Sequence, residues 1–249
     1  MQAASSEHEI TLARRIHRSL LPADHDDERV RWAVRCHEHT SLGGDYCTAR
    51  YIGNDRLFLS VCDVTGHGLP AALLAGRINS FVHHAIETAA HPREVVQHLN
   101  RFLFRNFSTL GVFATFYCVL IDFQTGRLDY AGAGHPPCLL KRKKAPGVNR
   151  LPSESPMLGV LDEVDFSCAA CSIPVVSGDR LLIYTDGLTE ARDADGNFFD
   201  LSGAESSLNE WKEGLSPQVF VDALIGRLVE FADTESFDDD VLLLALSIK

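Results

Sequence analysis

The chain is predicted to fold in the α+β class. Runs of apolar β-formers are bounded by glycine-rich turns. Several neighbouring runs are separated only by a tight turn, as hairpins are. Helical periodicity is confined to a few blocks, two of them back to back, and does not alternate with single strands. With 249 residues, 45% of them hydrophobic, the chain can bury a substantial core. The formal net charge of -11 argues against nucleic acid or an anionic membrane as a main partner. The longest apolar runs, 112–121 and 241–248, are too short to cross a bilayer, and no signal-peptide pattern opens the chain. Seven cysteines at irregular spacing read as reduced thiols, hence a cytoplasmic protein or the cytoplasmic part of a longer one. Cys168 and Cys171 form one CxxC without the second ligand pair of a zinc site, and read as neighbouring strand thiols.

Residues 9–21 (EITLARRIHRSLL) carry apolar positions at helical spacing, and Pro22 ends them. This amphipathic helix, 1–22, is set apart from 23–249 as a regulatory or linker element and a candidate homodimer surface. Residues 29–35 alternate as a half-buried strand. Gly43-Gly44 then lets the backbone turn sharply and expose Asp45. Strands at 46–51 and 57–62, joined by a turn at 53–55, would bring Asp45 and Asp63 to one sheet edge. Asp63 leads into Gly66-His67-Gly68 and a helix from Pro70 to about 89, where proline suits the first turn. Alone, Asp63 also reads as a cap of that turn. A second helix covers 92–107, and the histidines at 83, 84, 91 and 98 read as packed or solvated.

A hairpin follows: strand 111–122, turn 124–126, strand 127–133. Residues 138–140 resume a strand, and the basic run 141–144 reads as a solvated hairpin tip. A loop spans 151–164, and 166–175 is a weaker strand. The buried strand 180–185 delivers Asp186 and Gly187. Asp193, Asp195 and Gly196 lack the spacing of a calcium loop. Ser216-Pro217 starts a helix to about 231, and Asp238-Asp239-Asp240 precedes the last strand, 241–248.

Asp45, Asp63, Asp186 and one of the final acids thus each stand at a strand end beside flexible backbone. Oxygen ligands without His or Cys favour hard ions, Mg²⁺ or Mn²⁺. Two such ions activate water and clamp a displacement at phosphorus. The chain has no Walker loop, dinucleotide fingerprint or GxSxG elbow.

The segments GGDYCT, CDVTGHGLPAALL, ATFYCVLID, AGHPP, LGV, YTDGLTEARDADGNFF and DDDVLLLAL occur in the order of the bacterial PPM serine/threonine phosphatases. From ARRIHRSLLP onward the chain resembles this 2C-type family, in the SpoIIE/RsbU branch. The resemblance implies two packed, mainly antiparallel sheets flanked by helices, with two Mn²⁺ or Mg²⁺ ions in a cleft at one end. It implies that Asp63 bridges both metals, assisted by the Val64 carbonyl. Asp186 and Asp239, or its neighbours Asp238 or Asp240, would bind one ion, and Asp45 the other mostly through water. Asp63 and Asp186 would then be the catalytic residues, with Gly44, His67 and Gly187 lining the site. Eukaryotic members carry a general-acid His two residues after the bridging Asp. Thr65 stands there in this chain, so His67 has no assigned role as the acid. The eukaryotic phosphate-binding Arg has no counterpart, and His17 stands where the first helix often has Gln. The implied reaction is attack of metal-activated water on phosphoserine or phosphothreonine. The implied substrate is a phosphorylated STAS-type anti-sigma-factor antagonist in a partner-switching pathway, with an upstream sensor acting through the first helix. The competing readings are a pseudophosphatase that binds a phosphoprotein without turnover, and a hydrolase of nucleotide or sugar phosphates.

Overall fold

The computed structural model describes residues 2–39 and 42–249. Ser41, part of the turn expected before Asp45, lies outside the described residues. Two antiparallel sheets pack face to face. The first runs in the order β1 (His25–Asp26), β2 (Val30–His37), β11 (Val241–Ile248), β10 (Arg180–Tyr184), β7 (Cys138–Lys141), β8 (Asn149–Leu151). The second runs β3 (Tyr46–Ile52), β4 (Arg56–Val64), β5 (Ala114–Asp122), β6 (Arg127–Ala133), β9 (Cys171–Pro174). Helices α2 (Leu69–Thr88) and α3 (Pro92–Phe107) cover the second sheet, and α5 (Asp200–Glu210) and α6 (Pro217–Ala232) the first.

Burial on both faces explains why the central strands read as continuous apolar runs. In β4, Leu57, Leu59 and Val61 enter the core between the sheets, while Phe58 and Cys62 pack under α2 and α3. In β11, Leu242, Leu244 and Leu246 face the other sheet, and Val241, Leu243 and Ala245 face the outer helices. The helix starts follow local rules. Pro70 and Pro92 lie in first turns, and the Ser216 side chain accepts the Val219 N–H at 3.4 Å.

Several readings change. Helix α1 is Gln2–Arg18, ending before the expected Leu21. Ser19 Oγ donates to the Ile16 carbonyl and Leu20 N–H to the His17 carbonyl, a tight turn that suits the approach to Pro22. Strand β4 runs through Asp63 to Val64, because Asp63 still pairs with Thr115 of β5. The expected strand 166–175 shrinks to β9, an edge strand that tolerates Pro174, while Phe166 and Cys168 turn into the core under α3. Of the CxxC pair, only Cys171 lies in a strand. His91 is the N-cap of α3, its ring accepting the Arg93 N–H. The basic run is not wholly solvated, since Arg142 pairs with the fully buried Asp179 at 2.9 Å. Helix α5 fills a stretch to which the sequence assigned no element. Among the described residues no helix is long and apolar enough to cross a membrane.

Candidate metal centre

Four chain segments meet where the strand ends of the two sheets adjoin. Strands β3 and β4 pair with Tyr46 opposite Cys62, so Asp45 and Asp63 stand side by side one position further on. Asp186 follows β10 after Thr185 and is the N-cap of the short helix α4 (Gly187–Glu190). Asp239 and Asp240 lead into β11, the neighbour of β10. Asp45 is buried, Asp63 and Asp186 are half-buried, and Asp239 is exposed.

The backbone is packed to this purpose. A Cβ on Gly43 would overlap the Asp240 carboxylate, one on Gly44 would lie 2.5 Å from the Val64 carbonyl oxygen, and one on Gly187 would strike the Asp240 carbonyl. Glycine is therefore required at all three by close approach. The Val64 carbonyl lies against Gly44, beside Asp45. Gly66 and Gly68 adopt positive φ (93° and 75°), and Gly68 N–H donates to the Leu42 carbonyl at 3.0 Å, tying the two loops together. His67 is exposed on that turn.

The sequence does not single out Thr185, Thr115 or His135, and marks Asp240 only as an alternative ligand. Thr185 Oγ1 donates to Asp45 Oδ2 at 2.7 Å and accepts the Leu242 N–H at 2.9 Å, so one hydroxyl fixes Asp45 to the start of β11. Asp240 accepts the His39 N–H at 2.8 Å and the Gly44 N–H at 3.2 Å. It therefore braces the loop, while Asp239, whose carboxylate accepts the Asp240 N–H, stays open to solvent. Thr115, opposite Asp63 in the β4–β5 ladder, bonds the buried His135 ring (Oγ1···Nδ1 2.7 Å).

The charges are concentrated. Burial, then Asp186, Asp239 and Asp240 nearby, pushes the Asp63 carboxyl up to about 7, against a hydrogen bond with Asp45. Burial and then Asp63 push Asp45 well above the carboxylate range. Burial, Asp239 and Glu190 raise Asp186. Among the described residues no Lys, Arg or His forms an ion pair with Asp45, Asp63, Asp186 or Asp239. Buried like charges without an internal cation are relieved by protons or by a bound cation. Oxygen-only donors fit Mg²⁺ or Mn²⁺. Among the described residues no three His, Cys, Asp or Glu side chains form a ready ligand set for one ion. A cation here would take much of its shell from water and backbone carbonyls.

The model of the SpoIIE family, stage II sporulation protein E, matches residues 53–249. The phosphoserine phosphatase RsbP of Bacillus subtilis is 28% identical over 189 residues, 75% of this chain and 46% of RsbP. The chain spans about half the length of the curated relatives it matches. Among solved structures, the SiaA-PP2C domain of Pseudomonas aeruginosa matches with a TM-score of 0.84 at 20% identity over 100% of both chains. RsbX, solved in complex with magnesium, matches with a TM-score of 0.69 at 16% identity, over 91% of this chain and 99% of that one. The α+β sandwich is thus that of the PP2C domains, and the chain belongs to the SpoIIE family.

Proposed function

We propose that the chain is a metal-dependent protein serine/threonine phosphatase whose centre is formed by Asp45, Asp63, Asp186 and Asp239. The observation that carries this is the convergence of these carboxylates, without an internal cation, in a chain of this family. A divalent pair, Mg²⁺ or Mn²⁺, would supply an acidified water and neutralise charge developing on the phosphoryl oxygens. Asp63, with Asp45 beside it and Asp186 and Asp239 near it, would be the ligand shared by the two ions. Asp45 is held in orientation by Thr185, and Val64 presents its carbonyl beside it. Asp239 is favoured over Asp240 as a ligand because both Asp240 oxygens are taken up by backbone N–H groups. Gly44 and Gly187 keep the backbone close, and exposed His67 borders the opening.

The protein substrate carries phosphoserine or phosphothreonine. A STAS-type antagonist is the candidate, because RsbP is a phosphoserine phosphatase and the motifs are those of the partner-switching branch. Residues 1–22 are the regulatory element and 23–249 the phosphatase domain. Arg14, His17 and Arg18 of α1 gather around Glu38, next to His39, whose N–H is held by Asp240. A sensor or a second copy acting on α1 therefore has a short path to the site.

Hydrolysis of an aryl phosphate, and then of a phosphorylated STAS protein, tests this in Mn²⁺, in EDTA and with Asp63→Asn. Turnover that needs metal and Asp63 is expected. Turnover surviving EDTA and the substitution would overturn it. Faster turnover of nucleotide or sugar phosphates than of the phosphoprotein would replace the substrate assignment. Mn²⁺ binding without turnover of any of them would leave a pseudophosphatase.

A further inference from the structure

The opposite end of β10 carries the opposite charge. Arg180 opens that strand, six residues and therefore about 20 Å from Asp186. Beside Arg180 in the ladder stands Lys141, and together with Arg142, Lys143, Trp211 and Lys212 they line a cavity of about 300 Å³. In a chain of net charge -11 this is an uncommon gathering of cations.

The nearby acids do not balance them. Arg142 is committed to Asp179, and Lys143 to Glu213 at 3.1 Å. Glu210, also at the cavity, pairs with Arg227 at 3.1 Å. Among the described residues, Lys141, Arg180 and Lys212 are left without a carboxylate in ion-pair contact. Lys141 donates to the Asn209 carbonyl and Arg180 to the Trp211 carbonyl, which closes the C-terminal end of α5. That role uses one donor of each, out of three on the ammonium and five on the guanidinium. Arg180 is only 9% exposed. Burial and then Arg180 itself lower the Lys141 ammonium, and burial lowers Arg180, with Glu213 opposing. Two cations are thus held side by side in the ladder, with Glu213 nearby but paired to Lys143, and a third stands at the rim.

We propose that this cavity is a binding site for a small polyanion bearing linked phosphates, held by Lys141, Arg180 and Lys212. A guanidinium with two ammonium groups suits phosphate oxygens, the first by its planar fork and the others as point charges. The volume is at the lower bound for ligand pockets, enough for a short phosphate chain. Inorganic polyphosphate and the triphosphate of a nucleotide share this chemistry. The site is independent of the metal-centre reading, being distant from it and opposite in sign.

The test is a titration of the metal-free protein in EDTA with sodium tripolyphosphate and, separately, ATP, followed by the two tryptophan indole N–H resonances. Trp211 lies at the cavity, whereas Trp32 is buried in the core between the sheets with its indole N–H held by the Ala23 carbonyl, so Trp211 should move and Trp32 should not. ATP binding more tightly than tripolyphosphate identifies a nucleotide, and the reverse identifies the phosphate chain alone. The double variant Lys141→Gln/Lys212→Gln leaves buried Arg180 in place. It should weaken binding at least about fivefold, whereas Lys143→Gln, already paired, should change it less than about twofold. No Trp211 shift up to about 10 mM of either compound would overturn the site. So would a loss below about fivefold in a double variant whose melting midpoint matches the parent.

Discussion

At the β1–β2 corner, Asp27 accepts hydrogen bonds from Arg29 N–H (2.8 Å), Val30 N–H (2.9 Å) and Tyr51 Oη (2.6 Å), and contacts His25 Nε2 at 2.7 Å. Where the sheet ends meet, Asp63 has four further carboxylates around it, Asp45, Asp186, Asp239 and Asp240, and among the described residues no ion-pair partner. Burial raises the Asp27 carboxyl, but Tyr51, His25 and the two backbone N–H groups outweigh it and hold the group well below the usual range. The same side chain at the sheet ends is pushed up to about 7. A carboxylate whose lone pairs are filled by its own chain is completed by folding. One left among its like is completed only by something from solution, and that distinguishes a structural acid from a functional one.

The sharpest way to break this contrast is Asp63→Asn. On the proposed two-metal reading, removing this carboxylate should lower Mn²⁺-dependent phosphatase activity by at least about 10²-fold. In EDTA the same variant should melt higher than the parent, because one repelling charge has gone. A variant that is inactive and also less stable without metal would mean that the cluster holds the fold together, and the contrast would fail.

The two acids also differ in the sign of their pH dependence. Asp63 binds its proton more tightly folded (about 7) than unfolded (about 3.9), so the native state holds more protons between those values. The metal-free protein should lose this stability as pH rises from about 4 to about 7, with no further loss from this group above that. Asp27 acts in the other direction. Its contribution is present above about pH 3.9 and disappears as pH falls. Denaturation midpoints in EDTA across a pH series, repeated with excess Mg²⁺ or Mn²⁺, measure both. The divalent ion should abolish the decline toward pH 7 and leave the acid limb alone. A decline toward neutral pH that persists with metal would show that no cation answers the cluster.

Asp239 and Asp240 bring the contrast to adjacent residues. Asp239→Asn should cost activity at least about tenfold with stability within about 0.5 kcal/mol. Asp240→Ala leaves the His39 and Gly44 N–H groups unpaired and should cost about 1–3 kcal/mol, read by denaturant unfolding. The reverse pattern would exchange ligand and brace.

Much of this was legible in the sequence because the signals are local. Strand-end acids next to glycine, prolines in first turns and tight hairpin turns all act within a few residues. The Asp45–Asp63 adjacency followed from one hairpin register. What was hidden depends on partners distant in the chain. Helix α5 (DLSGAESSLNE) contains Gly203 and three serines, a weak helix by propensity, and its end is closed by Lys141 and Arg180 some 70 and 30 residues earlier. Nothing local separates Asp239 from Asp240. The difference arises from the Gly43–Gly44 loop, about 200 residues away, folding onto one of them. Thr185 was legible only as the end of a strand, since its role is set by Asp45 on the other sheet.

The smallest expected effect is at the reference acid. Asp27→Asn keeps an oxygen for the Arg29 and Val30 N–H groups but turns an amide toward Tyr51 and His25, where two acceptor positions are lost. Tyr51 can rotate its hydroxyl toward water and His25 can change tautomer, so the cost should be about 1–2 kcal/mol by denaturant unfolding. Because the corner is satisfied by the chain itself, activity and its metal dependence should stay within about twofold of the parent, and Mn²⁺ should stabilise the variant as much as it stabilises the parent. A large loss of activity would mean that the two acid clusters are coupled through β2 and β3. The distinction between acids completed by folding and acids completed from solution would then not hold in this chain.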